Sequence, residues 1–341
     1  MKSNPTSTHS LSQTWKAAIG VSLALSLVAL LSGSARAQAL SSGGNFDGTI
    51  QLNQTNTWTF SAAAGDRIVA RIGGLTATNF FNPWLRIYNP NGVLIAESGV
   101  GSVDDAEELA VTATNNGTFT VLVSDGNYGA FGGTGAYRLY FAQFPGAFVV
   151  PAGDAGGPLT NGVAALGTIQ VGELDLWRFT SCRGDYVAMQ ITALTQTNYF
   201  NPWLRLYGPD GVLIGDSGGG STSATATLAL TVTNAGAFTV LISDGNYGAF
   251  GGSGAYQLTS NGLGDGPRLC IPAISGTNGN LSGVGGASNA TFVLFTHTNV
   301  SDPFALWTPI QTNHFDSYGL FTDTNLFNPA DPRRFFRLRT P

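Results

Sequence analysis

The chain has 341 residues, of which 43% are hydrophobic and only 10% charged, with 46 Gly and 15 Pro. So little charge, with Lys confined to Lys2 and Lys16, excludes a basic nucleic-acid binder. The scarcity of strong helix formers excludes a helical bundle, and the hydrophobic share is too high for simple disorder.

The first 37 residues contain no acidic side chain. Lys16 precedes an apolar run, Ala17–Leu31, and small residues lead to Ala35-Arg36-Ala37. A basic flank, a short apolar stretch and an A-x-A site predict a secretory signal peptide over residues 1–37. The run falls short of the roughly 20 residues needed to span a bilayer. The chain after it, Gln38–Pro341, carries twelve Arg against twenty acidic residues, a formal net charge of −8. Polyanions are therefore poor partners for it.

A repeat organises the remainder. Residues 48–140 align with 167–259 at a constant offset of 119, with 53 of 93 positions identical. The stretch Phe81-Asn82-Pro83-Trp84-Leu85-Arg86 recurs as Phe200-Asn201-Pro202-Trp203-Leu204-Arg205, and S-D-G-N-Y-G-A-F-G-G recurs unchanged from Ser124 and from Ser243. Within each copy the hydrophobic period is two. Ile68, Ala70 and Ile72 share one face of a strand, with Arg67, Val69 and Arg71 on the other, the polar one. Turn signals such as Ala64-Gly65-Asp66 and Asn89-Pro90-Asn91-Gly92 separate the strands. About eight short strands per copy predict an all-β chain of two tandem jelly-roll-like β-sandwiches. The expected boundaries are repeat 1 over 38–145, a linker over 146–163, repeat 2 over 164–262, and a linker with a small C-terminal β unit over 263–341. In that unit Thr291–His297, Leu306–Thr308 and Phe335–Leu338 read as strands.

Two cysteines follow the signal, Cys182 and Cys270. Export permits a disulfide between them, closing a loop of about 90 residues; two unpaired thiols are the alternative.

The series G-T-I, W-T-F, G-D, W-L-R-I-Y-N-P-N-G, G-T-F and G-A-Y from Gly48 to Tyr137, with its second copy, resembles the bacterial pre-peptidase C-terminal domain family. That family is a β-sandwich appended to secreted proteases and other exported proteins. The resemblance implies fold more than function. The tail, with Trp307-Thr308-Pro309 and Arg334-Phe335-Phe336-Arg337-Leu338, is similar to C-terminal β units on secreted proteins of environmental bacteria, some of which serve sorting or surface attachment.

Catalytic chemistry has little to stand on. Neither repeat contains a histidine, and no H-E-x-x-H, G-x-S-x-G or P-loop pattern occurs. The acidic run Asp104–Glu108 has no acidic counterpart in copy two and reads as a solvated hairpin. Calcium is an option, because some members of the family bind it and the extracellular setting suits a weak oxygen site. Asp125 with Asn127, and Asp244 with Asn246, would supply ligands, against the alternative of plain Asx turns. For ligand binding, alternation sets Trp84, Arg86 and Tyr88 on the face opposite Leu85 and Ile87. The same holds for Trp203, Arg205 and Tyr207, and the Gly-rich loops add Tyr128 and Phe131, Tyr247 and Phe250. A ring beside a guanidinium can stack on a sugar or planar group.

The sequence therefore predicts a secreted or cell-surface, non-catalytic binding or adhesion protein for a polysaccharide, surface polymer or surface protein. A structural spacer or envelope component, and a calcium-stabilised accessory module, are the alternatives.

Overall fold

The computed structural model describes residues 37–78, 81–102, 104–126, 132–195, 199–245, 251–264, 266–270, 273–275, 278–327 and 334–341. Repeat 1 contributes β1 (Gln38–Ala39), β2 (Asn45–Ile50), β3 (Thr55–Ala62), β4 (Arg67–Thr78), β5 (Pro83–Tyr88), β6 (Leu94–Ser98), β7 (Ala106–Thr112), β8 (Gly117–Asp125) and β9 (Thr134–Phe144). They form a five-stranded sheet in the order β1-β3-β8-β5-β6 and a four-stranded sheet in the order β2-β9-β4-β7. Alternation decides which residues meet between the sheets. Trp58, Phe60, Leu85, Ile87, Phe119 and Val121 from one sheet pack against Ile68, Ala70, Ile72, Tyr137, Leu139 and Phe141 from the other. The buried polar tip of the Trp58 indole is satisfied by donating to the Tyr137 hydroxyl at 2.9 Å.

Repeat 2 reproduces this with β10 (Gly156–Pro158), β11 (Ala165–Ile169), β12 (Asp175–Ser181), β13 (Tyr186–Ala193), β14 (Pro202–Tyr207), β15 (Leu213–Ser217), β16 (Thr225–Thr231), β17 (Gly236–Asp244) and β18 (Gly254–Asn261). The sheet orders are β10-β12-β17-β14-β15 and β11-β18-β13-β16. One boundary differs from expectation. The stretch read as a linker, 146–163, holds β10, which pairs in parallel with β12 as β1 does with β3. Its Gly-Gly-Pro sequence lacks strand propensity, so only the waiting edge of β12 reveals it.

The C-terminal unit has β19 (Arg268–Leu269), β20 (Ala273–Ser275), β21 (Asn278–Val284), β22 (Thr291–His297), β23 (Thr308–His314), β24 (Phe321–Phe327) and β25 (Phe335–Arg339). One sheet runs β19-β21-β20 with β24 on β21; the other runs β23-β22-β25. Leu281, Phe292, Leu294, Phe315 and Phe321 fill the space between them. Of the predicted strands here, the first and last stand. The middle one is corrected: Phe304–Leu306 is a 3-10 turn, and β23 starts at Thr308.

Cys182 and Cys270 are joined by a disulfide, with a sequence separation of 88. The bridge leaves the end of β12 and reaches the residue after β19, tying the C-terminal unit to repeat 2. Beside it Asp185 pairs with Arg268 and accepts the Cys182 backbone N–H at 2.7 Å. Closing a loop of that length removes about 4 kcal/mol of unfolded-state entropy in the chain model. Reduction, or Cys182→Ser with Cys270→Ser, is expected to lower the melting temperature by about 10 °C. A melting curve indifferent to reductant would contradict it.

Candidate functional site

Two tandem sandwiches can hang from a linker as separate beads or pack face to face. Here the outer face of the β2-β9-β4-β7 sheet of repeat 1 packs onto the outer face of the five-stranded sheet of repeat 2. Val69, Tyr140, Ala142 and Phe144 meet Leu174, Leu176, Tyr207 and Leu241, all of them buried. The Phe144 and Tyr207 rings stack with centroids 3.9 Å apart. The backbones approach so closely at Gly73 that a Cβ there would stand 2.0 Å from the Val171 carbonyl oxygen. The face of β4 read as polar, with Arg67, Val69 and Arg71, is thus an interface in which Val69 and Arg71 are fully buried.

The charges in that interface form one cluster. The Glu108 carboxylate on β7 accepts from Arg205 Nη1 at 2.6 Å and Nη2 at 3.0 Å, and lies 3.4 Å from Arg71 Nη1. Arg71 Nη2 also donates to the Asp244 backbone carbonyl at 2.6 Å. Burial works against the Glu108 charge, but Arg205 and Arg71 outweigh it and hold the carboxyl below its ordinary value. Burial lowers the Arg71 guanidinium to about 10. The expected solvated hairpin at Asp104–Glu108 holds for the exposed Asp104 and Asp105 and is corrected at Glu108, which is the anion of a buried cluster. Glu107 is buried too and accepts from the Ser98 hydroxyl at 2.5 Å.

The two copies of the predicted binding trio consequently sit in different surroundings. On β14, Arg205 lies over the Trp203 ring at 3.8 Å from its centroid, donates to Ser243 Oγ at 3.0 Å and is 2% exposed. Tyr207 is buried as well. Arg205 is therefore committed to Glu108, and two equal exposed sites do not exist. On β5, Arg86 lies over Trp84 at 3.9 Å and donates to Ser124 Oγ at 2.8 Å. This is the same arrangement, but Trp84, Arg86 and Tyr88 are only half-buried on an uncovered sheet face. Thr55 and Thr57 stand there where repeat 2 has Leu174 and Leu176.

Asp125 and Asp244 are turn-holding residues. Asp125 accepts the Asn82 and Gly133 backbone N–H groups at 2.9 and 2.7 Å; Asp244 accepts those of Asn201 and Gly252, each at 2.9 Å. Both are buried. Their carboxylates hold the backbone of the following loop to the sheet, as the turn reading expected. Among the described residues no group of three or more His, Cys, Asp or Glu is placed to hold a metal ion. Asn127, Tyr128, Phe131, Asn246, Tyr247 and Phe250 lie outside the described residues.

Two buried acids in repeat 2 escaped the sequence reading. Glu173 and Asp175 are 2% and 1% exposed. Burial, together with Asp175, pushes Glu173 up to about 9; burial raises Asp175 well above the carboxylate range. Gln170 N–H donates to Glu173 at 2.5 Å and the Tyr256 hydroxyl to Asp175 at 2.6 Å. The signal was available in the alignment, because repeat 1 has the neutral Gln54 and Asn56 at these positions. The same test finds the interface: Glu108 opposes Thr227, Arg71 opposes Gln190, and Leu174 and Leu176 oppose Thr55 and Thr57.

Residues 54–125 match the bacterial pre-peptidase C-terminal domain family. The match lies inside repeat 1; repeat 2, with its shared sequence and strand order, and the C-terminal unit lie outside it. No curated protein matches the chain. Among solved structures the chain is similar to the pre-peptidase C-terminal domain of collagenase from Bacillus anthracis, at 16% identity and a TM-score of 0.25, covering 31% of this chain and 93% of that one. It is also similar to the tandem CBM51 modules of a family 98 glycoside hydrolase from Streptococcus pneumoniae, at 10% identity and 0.21, covering 63% and 84%. A third is a tail fiber protein of an E. coli phage, at 7% and 0.24, covering 72% and 43%. Likenesses this distant carry no argument about ligand or activity. Among the described residues no helix is long and apolar enough to cross a membrane.

Proposed function

We propose that the protein is an exported, non-catalytic binding or adhesion protein that attaches to an extracellular surface polymer or surface protein through the outer face of the five-stranded sheet of repeat 1. One observation carries this reading. The Trp84–Arg86–Tyr88 stripe occurs twice in the sequence, and both tryptophans are half-buried, but among the described residues Arg205 and Tyr207 are buried against the other repeat while Arg86 and Tyr88 stay half-exposed. A folded protein does not normally leave an aromatic-guanidinium stripe on a sheet face without use for it, and such side chains dominate binding energies where they are found. The threonines replacing leucines suit a face that stays in water between encounters. Export is supported by the leader-like first 37 residues and by the disulfide. The match of residues 54–125 to a domain family that accompanies catalytic domains supports the non-catalytic part.

The test is binding of Gln38–Pro341 to a panel of glycans and matrix proteins. Trp84→Ala should weaken the binding at least about tenfold, and Trp203→Ala should leave it unchanged. Absence of binding across the panel would leave the spacer reading in its place.

A further inference from the structure

Repeat 2 displays what this face holds when it is occupied. Its Trp203–Arg205–Ser243 group takes a single glutamate carboxylate: Arg205 Nη1 and Nη2 each donate to one oxygen of Glu108, and the same guanidinium is steadied by the indole and the serine. Repeat 1 carries the same three side chains in matching geometry, with guanidinium-to-ring distances of 3.9 and 3.8 Å and guanidinium-to-serine distances of 2.8 and 3.0 Å. Among the described residues no carboxylate reaches Arg86. Glu97 stands opposite it in register on β6 but is exposed and forms no ion pair with it.

Resting on the reading above, we propose that Trp84, Arg86 and Ser124 form a preorganised seat for one carboxylate, supplied by a glutamate or aspartate on the sheet face of a folded protein partner. A bidentate arginine held flat by an indole is specific for a planar carboxylate, and it loses little freedom on binding. Three observations select the source. The occupant of the equivalent seat is a β-sheet face with one central acid. The chain from Gln38 is net negative and the described residues of this face offer a single cation, so a polyanion such as a uronate polysaccharide has nothing further to pair with. A second copy of this chain does not fit, because its free counterpart face, on the β11-β18-β13-β16 sheet, has Thr227 and Gln190 in place of Glu108 and Arg71.

The experiment follows the Trp84 indole N–H signal of the intact protein during titration with N-acetylglutamate and, separately, N-acetylglutamine. The expected result is a saturable shift with the acid only, half-complete at roughly tens of millimolar. Arg86→Lys should weaken it at least about tenfold by ending bidentate contact, while Glu97→Gln should strengthen it about two- to threefold by removing a like charge near the incoming carboxylate. Equal shifts with the amide, or none below about 200 mM, would overturn the seat. Trigalacturonate binding more than about tenfold tighter than N-acetylglutamate would overturn the protein source in favour of an acidic polysaccharide. Panel binding that is lost in Trp84→Ala but kept in Arg86→Lys would leave the adhesion reading standing and remove this inference. Selective carboxylate shifts without any panel binding would do the reverse.

Discussion

Replacing Glu108 with alanine is expected to destabilise the protein by about 3–5 kcal/mol at pH 7. Among the described residues its carboxylate is the only anion between two guanidiniums whose side chains are 0% and 2% exposed, and its own side chain is 5% exposed. Without it, Arg71 and Arg205 remain buried beside each other with the charge they share removed, and their mutual repulsion adds to the desolvation already spent on them. The damage should be local at first. Amide exchange should accelerate in β12 and β17, which carry Leu176 and Leu241, before it does in the separate sandwich cores. The sign with pH follows from the direction of the shift. Glu108 titrates below its ordinary value, so its contribution is complete above the unfolded carboxyl range and declines as pH falls through the folded value. The gap between wild type and Glu108→Ala should therefore narrow toward pH 3. Replacing all three members together with Arg71→Met, Arg205→Met and Glu108→Leu should cost far less than the single change, because it leaves no charge stranded. A single-mutant loss below about 1 kcal/mol at pH 7 would show that water reaches the cluster.

The sandwich itself was legible because strand alternation and turn residues are local. Leu85 and Ile87 had to face one way and Trp84, Arg86 and Tyr88 the other, whatever lay outside. What lay outside was not legible from one copy. The pattern Arg67-x-Val69-x-Arg71 is identical for a solvated face and for a face buried against another sheet with its cations paired. Only the partner distinguishes the two, and the partner is remote in sequence. Arg205 and Glu108 are 97 residues apart. The duplication held the missing information in some of its exceptions: Glu108, Arg71, Leu174 and Leu176 lie in the interface, and their counterparts Thr227, Gln190, Thr55 and Thr57 do not. The positions that the copies share, including Asp125 and Asp244, turned out to hold loops to the sheet. Similarity between the copies therefore reports the shared fold, and dissimilarity reports the division of labour between them.

The same comparison yields the second large effect. Glu173→Gln combined with Asp175→Asn is expected to stabilise the protein at pH 8 and to change little at pH 4. Repeat 1 already has these amides. Gln54 Oε1 accepts the Gln51 N–H at 3.0 Å, as Glu173 accepts that of Gln170. Asn56 Nδ2 donates to the Tyr137 hydroxyl at 3.0 Å and to the Thr49 carbonyl at 2.9 Å, the counterparts of Tyr256 and Thr168. The backbone at these positions thus offers the neutral pair hydrogen-bond partners, although in repeat 1 Gln54 is exposed and Asn56 half-buried. In repeat 2 both acids are buried near each other without a cation among the described residues, so the fold favours their protonated forms. Because their folded values are raised, the fold holds protons that the unfolded chain releases above about pH 4.5. Wild-type stability should therefore fall steadily from about pH 4.5 toward the Glu173 value of about 9. The amide pair has nothing to release, so its stability should stay flat over that range. Shifts of this size amount to a gain on the order of 3 kcal/mol at pH 8, seen as a melting temperature higher by about 5–10 °C. Thermal melts of both proteins between pH 4 and 9 give the answer directly: if the two curves run parallel through that interval, the acids are charged in the native state and the argument from repeat 1 fails.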